Sequence, residues 1–174
     1  MRTLLLLRHA KAEIGSLGIA DIDRRLMPRG QKAAERMGQY MAEVGLKPDH
    51  VICSSAERTR ETAAIVLPQL GSKAPLVYEP LIYEAPYERI LSIIHRAPSS
   101  ARTLMLVGHN PGLEDLVDAL MMTAEKEAER KLREKFPTCA LAVLTFPQQH
   151  WADVNQHSGH LQTFVTPRAL AERR

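Results

Sequence analysis

The sequence contains little cysteine and no long apolar segment. Only two cysteines occur among its 174 residues, Cys53 and Cys139, far apart and in apolar surroundings. This pattern favours two buried thiols in a reducing cytosol, with a disulfide as the alternative. No segment approaches the ~18 continuous apolar residues of a membrane span. The leucines at 4–7 are too few for a signal peptide, whose apolar region needs roughly 7–15 residues. We therefore expect a cytoplasmic protein.

The sequence also lacks a large excess of either sign of charge. The chain has 23 lysines and arginines against 20 aspartates and glutamates, a formal net charge of +3, and the two signs are mixed along it. A dedicated nucleic-acid binder usually concentrates its basic residues, so we expect no nucleic-acid partner. An anionic small molecule or a phosphorylated protein remains compatible. No cluster of carboxylates resembles a magnesium site, and we expect no metal.

The sequence does contain a regular alternation of apolar runs and helical periodicity, which predicts an α/β fold. Its length, without repeats, low-complexity tracts or linkers, predicts one domain over residues 1–174. Strands are predicted at 3–7, 50–54, 76–78 and 103–107. Four helices are predicted in this part of the chain. The first begins at Pro28, the second begins just after Ser55 as its N-cap, and the others cover 87–96 and 113–122. We expect a three-layer sandwich, with a central, mostly parallel sheet flanked by helices.

The last third of the chain is less regular. Residues 124–136 are highly charged and helix-prone, which is typical of a solvated helix or a mobile excursion. Residues 140–146 and 151–155 are predicted to form a hairpin pair. From Phe164 onward the sequence is interpreted as a polar tail.

Three predicted strands end in reactive polar residues and then lead into a helix. The three groups are Arg8-His9, Ser54-Ser55 leading to Arg58, and Gly108-His109-Asn110. In an open α/β sheet, ligands bind outside the carboxyl ends of the strands. Helix N-termini at that edge offer free N–H groups and a positive dipole end, which favour anions. The pattern therefore predicts an anion pocket, most simply for a phosphoryl group.

These residue types also define a chemistry. Arg8 and Arg58 can each grip phosphoryl oxygens bidentately. A neutral imidazole is a competent nucleophile toward phosphorus when its second nitrogen is held protonated by an acceptor. A second histidine can stabilise charge on the equatorial oxygens, and a nearby carboxyl group can protonate the leaving oxygen. Two histidines and two arginines at strand ends therefore suit phosphoryl transfer.

The motifs together resemble the histidine phosphatase superfamily, which has the phosphoglycerate-mutase-like fold. They are Leu7-Arg8-His9-Ala10, Ser54-Ser55-Ala56-Glu57-Arg58 with Thr62, and Val107-Gly108-His109-Asn110-Pro111. The short length, the strand over 140–144 and the Thr166-Pro167 pair are most similar to the small phosphohistidine phosphatase branch. The resemblance extends over nearly the whole chain.

The resemblance implies a role for each matched residue. His9 would be the nucleophile that becomes transiently phosphorylated. Arg8, Arg58 and His109 would line the phosphate pocket, together with a backbone amide near Asn110. Glu84 best matches the position of the proton donor that family members often use.

A further match lies before the first helix. Asp21, Asp23 and Arg24 resemble the family's loop at this position, which forms a rim that could contact substrate. Met27 departs from the family, which commonly has a helix-capping threonine there, and this puts the local stability of the helix in question.

Each motif also has an ordinary explanation when taken singly. Arg8-His9 could be a strand end meeting water, Arg58 a surface charge and Glu84 a loop carboxylate; the three motifs together favour function. We predict metal-independent hydrolysis through phosphorylated His9, acting on protein phosphohistidine, for example on the histidine phosphotransfer domain of a signalling relay. A small phosphomonoester is the alternative substrate, and a module that binds a phosphorylated ligand without turnover is the alternative class. A mutase is disfavoured because the chain is short of lid material.

Overall fold

The first strand, β1 (Arg2–Arg8), lies in the middle of the sheet in the computed structural model, which describes residues 1–173. The other strands are β2 (His50–Cys53), β3 (Leu76–Tyr78), β4 (Thr103–Gly108), β5 (Met121–Ala124), β6 (Leu141–Phe146) and β7 (Gly159–Val165). Within the described residues they form a seven-stranded sheet in the order β3-β2-β4-β1-β6-β7-β5. Four of its pairings are parallel and the two made by β6 are antiparallel, so the predicted mostly parallel sheet is confirmed.

Helices cover both faces of this sheet. They are α1 (Pro28–Glu43), α2 (Glu57–Val66), α3 (Tyr87–His95), α4 (Gly112–Leu120), α5 (Lys126–Glu134) and α6 (Pro167–Ala171). Successive residues of β1 point to opposite faces. Leu4 and Leu6 pack into a core with α3, α4 and α5, whereas Leu5 and Leu7 pack into a core with α1, α2 and α6. Both faces of β1 are buried, which explains its continuous run of leucines. The three-layer α/β prediction is confirmed.

The carboxyl ends of β1, β2 and β4 meet at one edge of the sheet. These strands run parallel, with Arg8 opposite Gly108 and Cys53 opposite Val107. Backbone bonds continue the alignment past the strands: the His9 amide donates to the Gly108 carbonyl at 3.0 Å, and the Ser54 amide donates to Val107 at 3.0 Å. The fold therefore brings the three polar motifs together.

Three local predictions are wrong. Residues 151–155 are not a strand: Trp151–Asp153 is a 3₁₀ turn that buries Trp151 and Val154, three residues apart as on a helical turn. The strand that pairs with β6 is β7, so Phe164 and Val165 are buried sheet residues and not part of a polar tail. Ser55 is not the N-cap of α2, because Ala56 occupies that position without a side-chain cap.

The charged 124–136 segment is a helix with one buried stripe. Ala128 and Leu132 of α5 pack into the core, while its charged residues face outward. Cys53 and Cys139 are buried free thiols, as predicted, and burial raises the pKa of each to about 12. No helix within residues 1–173 is long and apolar enough to cross a membrane.

Helix α1 begins against the loop that follows His9. Its N-cap residue, Met27, provides no side-chain cap, but the Met27 amide donates to the Lys11 carbonyl at 2.9 Å. A Cβ added at Gly30 would lie 2.1 Å from the same carbonyl oxygen. Glycine is therefore required where α1 touches this loop.

Substituting Gly30 by alanine tests this contact. Helix propensity alone would favour alanine by about 1 kcal/mol. The clash instead predicts a loss of about 1–3 kcal/mol in the free energy of unfolding, measured by urea titration. Gly15→Ala is the matched control, since its new Cβ would lie 3.7 Å from the nearest atom, Arg24 Cδ. A Gly30→Ala variant more stable than the wild type would contradict the proposed packing.

Candidate active site

The imidazole of His9 is held at the end of β1 in one tautomer. His9 is 7% exposed, and its Nδ1 lies 2.8 Å from the carbonyl oxygen of Ala10. Because a carbonyl can only accept, Nδ1 carries the proton and the Nε2 of the neutral ring keeps its lone pair. Burial lowers the pKa of His9 to about 4, and nearby Arg58 and Arg8 act in the same direction against the Ala10 bond. The His9 ring is therefore neutral at pH 7 with an unprotonated Nε2, which is the form that a nucleophilic imidazole needs.

The backbone on both sides of His9 is fixed by neighbouring elements. The Ala10 amide donates to the Thr62 hydroxyl at 3.0 Å, and that hydroxyl donates to the Arg58 carbonyl at 2.7 Å. The Cys139 amide donates to the His9 carbonyl at 2.9 Å. Helix α2 and the 136–140 segment thus hold the nucleophile in place.

The second histidine, His109, lies beside the first. The two ring centroids are 5.4 Å apart. His109 is 8% exposed, and its Nε2 lies 2.7 Å from the Ser54 hydroxyl, which joins the end of β4 to the end of β2. Burial lowers the pKa of His109 to about 3, with further contributions from His9 and Arg58. Both rings are therefore neutral at pH 7, which lets two histidines and two arginines share a small volume.

Arg58 is held by Asp21 and Tyr83. Its Nη1 donates to the Asp21 carbonyl at 2.8 Å, and its Nη2 lies 3.2 Å from Asp21 Oδ2. The Tyr83 hydroxyl donates to the same carboxylate oxygen. The Tyr83 ring also contacts His109 edge-on at 5.6 Å and lies 5.7 Å from the Arg58 guanidinium carbon. Asp21 and Tyr83 therefore orient both groups that flank the pocket.

The carboxylate of Asp21 accepts hydrogen bonds from three side chains, those of Arg24, Arg58 and Tyr83. The bond from Tyr83 lowers the pKa of Asp21, and Arg58 and Arg24 add to the effect. Arg24 Nε donates to the other carboxylate oxygen at 2.9 Å, and its Nη1 donates to the Glu13 carbonyl at 2.7 Å. Partial burial and Asp21 raise the pKa of Tyr83 to about 12, so its hydroxyl stays protonated. Asp21 and Arg24 were predicted to bind substrate. In the structure they lie on the rim of the site, where Asp21 forms ion pairs with both Arg24 and Arg58.

Arg8 is held from the opposite side. Its Nη1 donates to the Phe136 carbonyl at 2.9 Å, which also accepts from Asn110 Nδ2 at 3.1 Å. The Asn110 side-chain oxygen accepts from the Glu114 amide at 3.2 Å. Burial lowers the pKa of Arg8, and the carboxylate of Glu114 opposes this shift. The Asn110 side chain therefore joins α4 to the 136 segment and helps to position Arg8.

Three buried nitrogens in this cluster have no hydrogen-bond partner among residues 1–173. They are Arg8 Nε, Arg58 Nε and His109 Nδ1. Both arginines are always protonated, so their Nε–H groups are donors, and an unsatisfied buried donor costs about 1–3 kcal/mol. A tetrahedral oxyanion offers acceptors in several directions at once. The cluster is therefore chemically suited to bind a phosphoryl group beside His9 Nε2.

Glu84 is the predicted residue that does not join the cluster. It is exposed and forms no hydrogen bond or ion pair with any described residue. Its φ of 56° is in the left-handed region, and the turn directs Tyr83, not Glu84, toward Arg58 and His109. The structure thus brings His9, Arg8, Arg58 and His109 together, whereas Glu84 forms no hydrogen bond or ion pair with any of them.

Sequence reasoning missed two contributors to this geometry. The aromatic ring of Tyr83 had no pattern to separate it from ordinary packing residues. The Phe136 carbonyl is a backbone group, which every residue possesses, so no sequence signal could have identified it.

The chain is similar to known proteins over much of its length. A family model described as histidine phosphatase superfamily (branch 1) matches residues 4–91. An uncharacterized protein of Mycobacterium tuberculosis strain H37Rv is 36% identical over 164 residues, covering 93% of this chain and 100% of that protein.

Two solved structures are also similar over nearly the whole chain. One, from Agrobacterium tumefaciens, has 32% sequence identity and a TM-score of 0.81, covering 95% of this chain and 98% of its own. The other, from Nakamurella multipartitia, has 32% identity and a TM-score of 0.82, covering 95% and 96%. Both are provisionally named phosphohistidine phosphatase SixA.

The fold and site define an α/β enzyme of the phosphatase and mutase type, built around a strand-end histidine. The chain belongs to the histidine phosphatase superfamily, branch 1. The resemblance to the small branch of this superfamily, and to its phosphoglycerate-mutase-like fold, is confirmed.

The lowered histidine pKa values predict a pH-dependent stability. Because the folded pKa values of about 4 and 3 lie below the ordinary 6.5, the unfolded chain binds protons first as the pH falls. The free energy of unfolding should fall between pH 6.5 and 4, with urea titration as the measurement. His9→Asn and His109→Asn should each reduce this slope. His150→Asn is the control, because His150 is exposed. Equal slopes in the wild type and all three variants would refute the assignment of the lowered pKa values to His9 and His109.

Substituting Tyr83 by phenylalanine tests its positioning role. Loss of the hydroxyl should raise the pKa of Asp21, measured by NMR titration, because the Tyr83 bond is the main cause of its lowering. Because Asp21 would then orient Arg58 less firmly, the KM for an aryl phosphate should rise about tenfold, with a smaller change in kcat. Tyr87→Phe is the matched control, since Tyr87 lies on α3, where its hydroxyl accepts a hydrogen bond from the Gln156 side chain. An unchanged Asp21 titration with unchanged KM would remove Tyr83 from the site.

Proposed function

We propose that this protein hydrolyses phosphohistidine on a partner protein through a transient phosphohistidine at His9, without a metal. The observation that carries the proposal is the pair of unpartnered Nε–H donors on Arg8 and Arg58, with the unpartnered Nδ1 of His109, around a neutral imidazole with a free Nε2. Donors pre-placed where charge develops, in a buried site, are the usual source of transition-state stabilisation.

The first step transfers the phosphoryl group to His9. Nε2 forms a bond to phosphorus while the bond from phosphorus to the substrate's imidazole nitrogen breaks. The departing ring leaves neutral, having taken a proton from solvent on its second nitrogen. The two arginines hold the phosphoryl oxygens throughout, and the Nδ1–H bond to Ala10 stabilises the positive charge that develops on the His9 ring.

The second step regenerates the enzyme. The oxygen of a water molecule bonds to phosphorus as the bond to Nε2 breaks, so the water oxygen stays on the phosphate. The proton that water sheds goes to solvent, and His9 returns to its neutral form. The low pKa of His9 in the free site favours this return, since Nε2 is restored without a proton.

The choice of substrate rests on the leaving group. An alkoxide needs a strong acid beside it, whereas a protonated imidazole leaves without one. Glu84 is exposed and forms no hydrogen bond or ion pair with the described residues of the site, and Tyr83, with its raised pKa, is a weak acid. This supports a phosphorus–nitrogen bond as the one that is broken. The names of the two relatives at 32% identity support the same class.

The test uses a histidine phosphotransfer domain phosphorylated on its histidine, compared with an aryl phosphate, with chelator present. Wild type should release phosphate from the protein substrate, and His9→Ala should lose at least about 10³-fold of that rate. A label trapped on the wild type should be acid-labile and alkali-stable, and absent from His9→Ala. His50→Ala, at the opposite end of β2, is the matched control.

Other results would point elsewhere. Turnover of the aryl phosphate alone would identify a small-molecule phosphatase. Tight binding of the phosphorylated domain without turnover would identify a binding module. A large loss on the phosphohistidine substrate in Glu84→Gln would overturn the argument from the leaving group.

A further inference from the structure

A basic groove borders the candidate site on the side of Arg8. It consists of two adjoining cavities of about 350 and about 520 Å³ that share Pro137 and Arg168 in their walls. Six cationic side chains line it: Lys11, Arg29, Arg130, Lys131, Lys135 and Arg168. We use the name basic groove for this surface.

The groove and the candidate site are linked by two short chain segments. Lys11 follows His9 by two residues, and its carbonyl receives the bond from the start of α1. Pro137 directly follows Phe136, whose carbonyl holds Arg8. The walls of the groove therefore begin one or two residues along the chain from groups that form the candidate site.

The net positive charge of the protein is concentrated here. The six cations face two carboxylates in the groove, Glu134 and Glu172, which leaves a local charge of +4 against +3 for the whole chain. The surface outside the groove therefore carries no net positive charge.

Most of these cations are unpaired. Arg130 lies against Glu127 and Glu134, and Arg168 lies 3.6 Å from Glu172. Among the residues that the structure describes, no carboxylate lies within 4.0 Å of the charged groups of Lys11, Arg29, Lys131 and Lys135. Like charges gathered without counter-ions repel one another, so an acidic partner would lower their energy.

The lining of the groove favours a protein over a nucleic acid. Its uncharged walls include Ala33, Pro137, Pro167 and Ala169, and none of the residues lining it is aromatic. Single-stranded nucleic acids are usually held by stacking on aromatic side chains. Small apolar walls between separated cations suit the aliphatic stems and carboxylates of a protein surface.

We propose that the basic groove docks an acidic surface of the phosphoprotein substrate and so presents its phosphohistidine to His9. This inference rests on the proposed function. Charge complementarity of this kind acts mainly on the rate of encounter and on orientation. The groove would thus select among phosphoproteins by the charge that flanks their phosphohistidine, while leaving small substrates unaffected.

The test is the double charge reversal Arg29→Glu with Lys135→Glu, one change in each half of the groove. Both side chains are exposed, and neither belongs to the phosphoryl site. The probe is an acidic histidine phosphotransfer domain phosphorylated on its histidine. We expect kcat/KM for this domain to fall about tenfold or more at low salt, and to depend less on salt than in the wild type. Hydrolysis of an aryl phosphate should stay within about twofold of wild type.

The matched control is Lys47→Glu with Lys73→Glu. It changes the net charge by the same amount, at exposed positions before β2 and β3, where the strands begin at the edge opposite the site. This control should leave both activities within about twofold of wild type.

The outcomes separate the two proposals. If the wild type does not dephosphorylate the domain at all, the proposed function fails. If it does, but the groove variant is as fast as the control, the docking inference fails while the proposed function stands. Competition by a single-stranded oligonucleotide but not by an acidic protein would show that the groove binds nucleic acid, which would also overturn the inference.

Discussion

The structure depends on one constraint, the packing of buried Arg58 and half-buried Arg8 beside two buried histidines. Four potentially cationic groups within a small volume would repel one another strongly if all were charged. The fold meets this constraint by keeping His9 and His109 neutral, with pKa values lowered to about 4 and about 3. The arginines stay charged, and their terminal nitrogens are tied to the carbonyls of Phe136 and Asp21.

That arrangement also explains why the site has unpartnered hydrogen-bond donors. Each arginine is anchored from behind through Nη1, so its Nε–H is left without a partner within the described chain. The anchors come from distant parts of the sequence, Asp21 on the loop before α1 and Phe136 after α5. In the proposed function, an anion bound there would satisfy the buried donors and would also stabilise positive charge on the histidines. Affinity and reactivity thus have the same physical origin.

Much of this could be predicted from local patterns. The leucines of β1 and the apolar run of β4 are buried on both faces, which gives their sequences a clear signal. The polar residues that follow them could be placed at one edge because parallel strands share an orientation. Prediction failed where tertiary packing decided the local structure. Trp151 is buried in a 3₁₀ turn whose indole donates to the Ala101 carbonyl, and β7 is specified by pairing with β6 and by the close approach of Gly159 to Phe146.

The α/β class and the four side chains that meet at one edge of the sheet could be predicted from local sequence, because strand-end position follows from chain order and periodicity. Only the tertiary structure decided which nitrogen of His9 is free, how Arg8 and Arg58 are anchored, and that Tyr83 reaches the site while Glu84 does not. The anchors of the two arginines and the Tyr83 bond to Asp21 join residues 37 to 128 positions apart, and the turn after Tyr83 depends on a backbone torsion at Glu84. The direction of a side chain at a turn is set by such contacts, and local sequence carries no record of them.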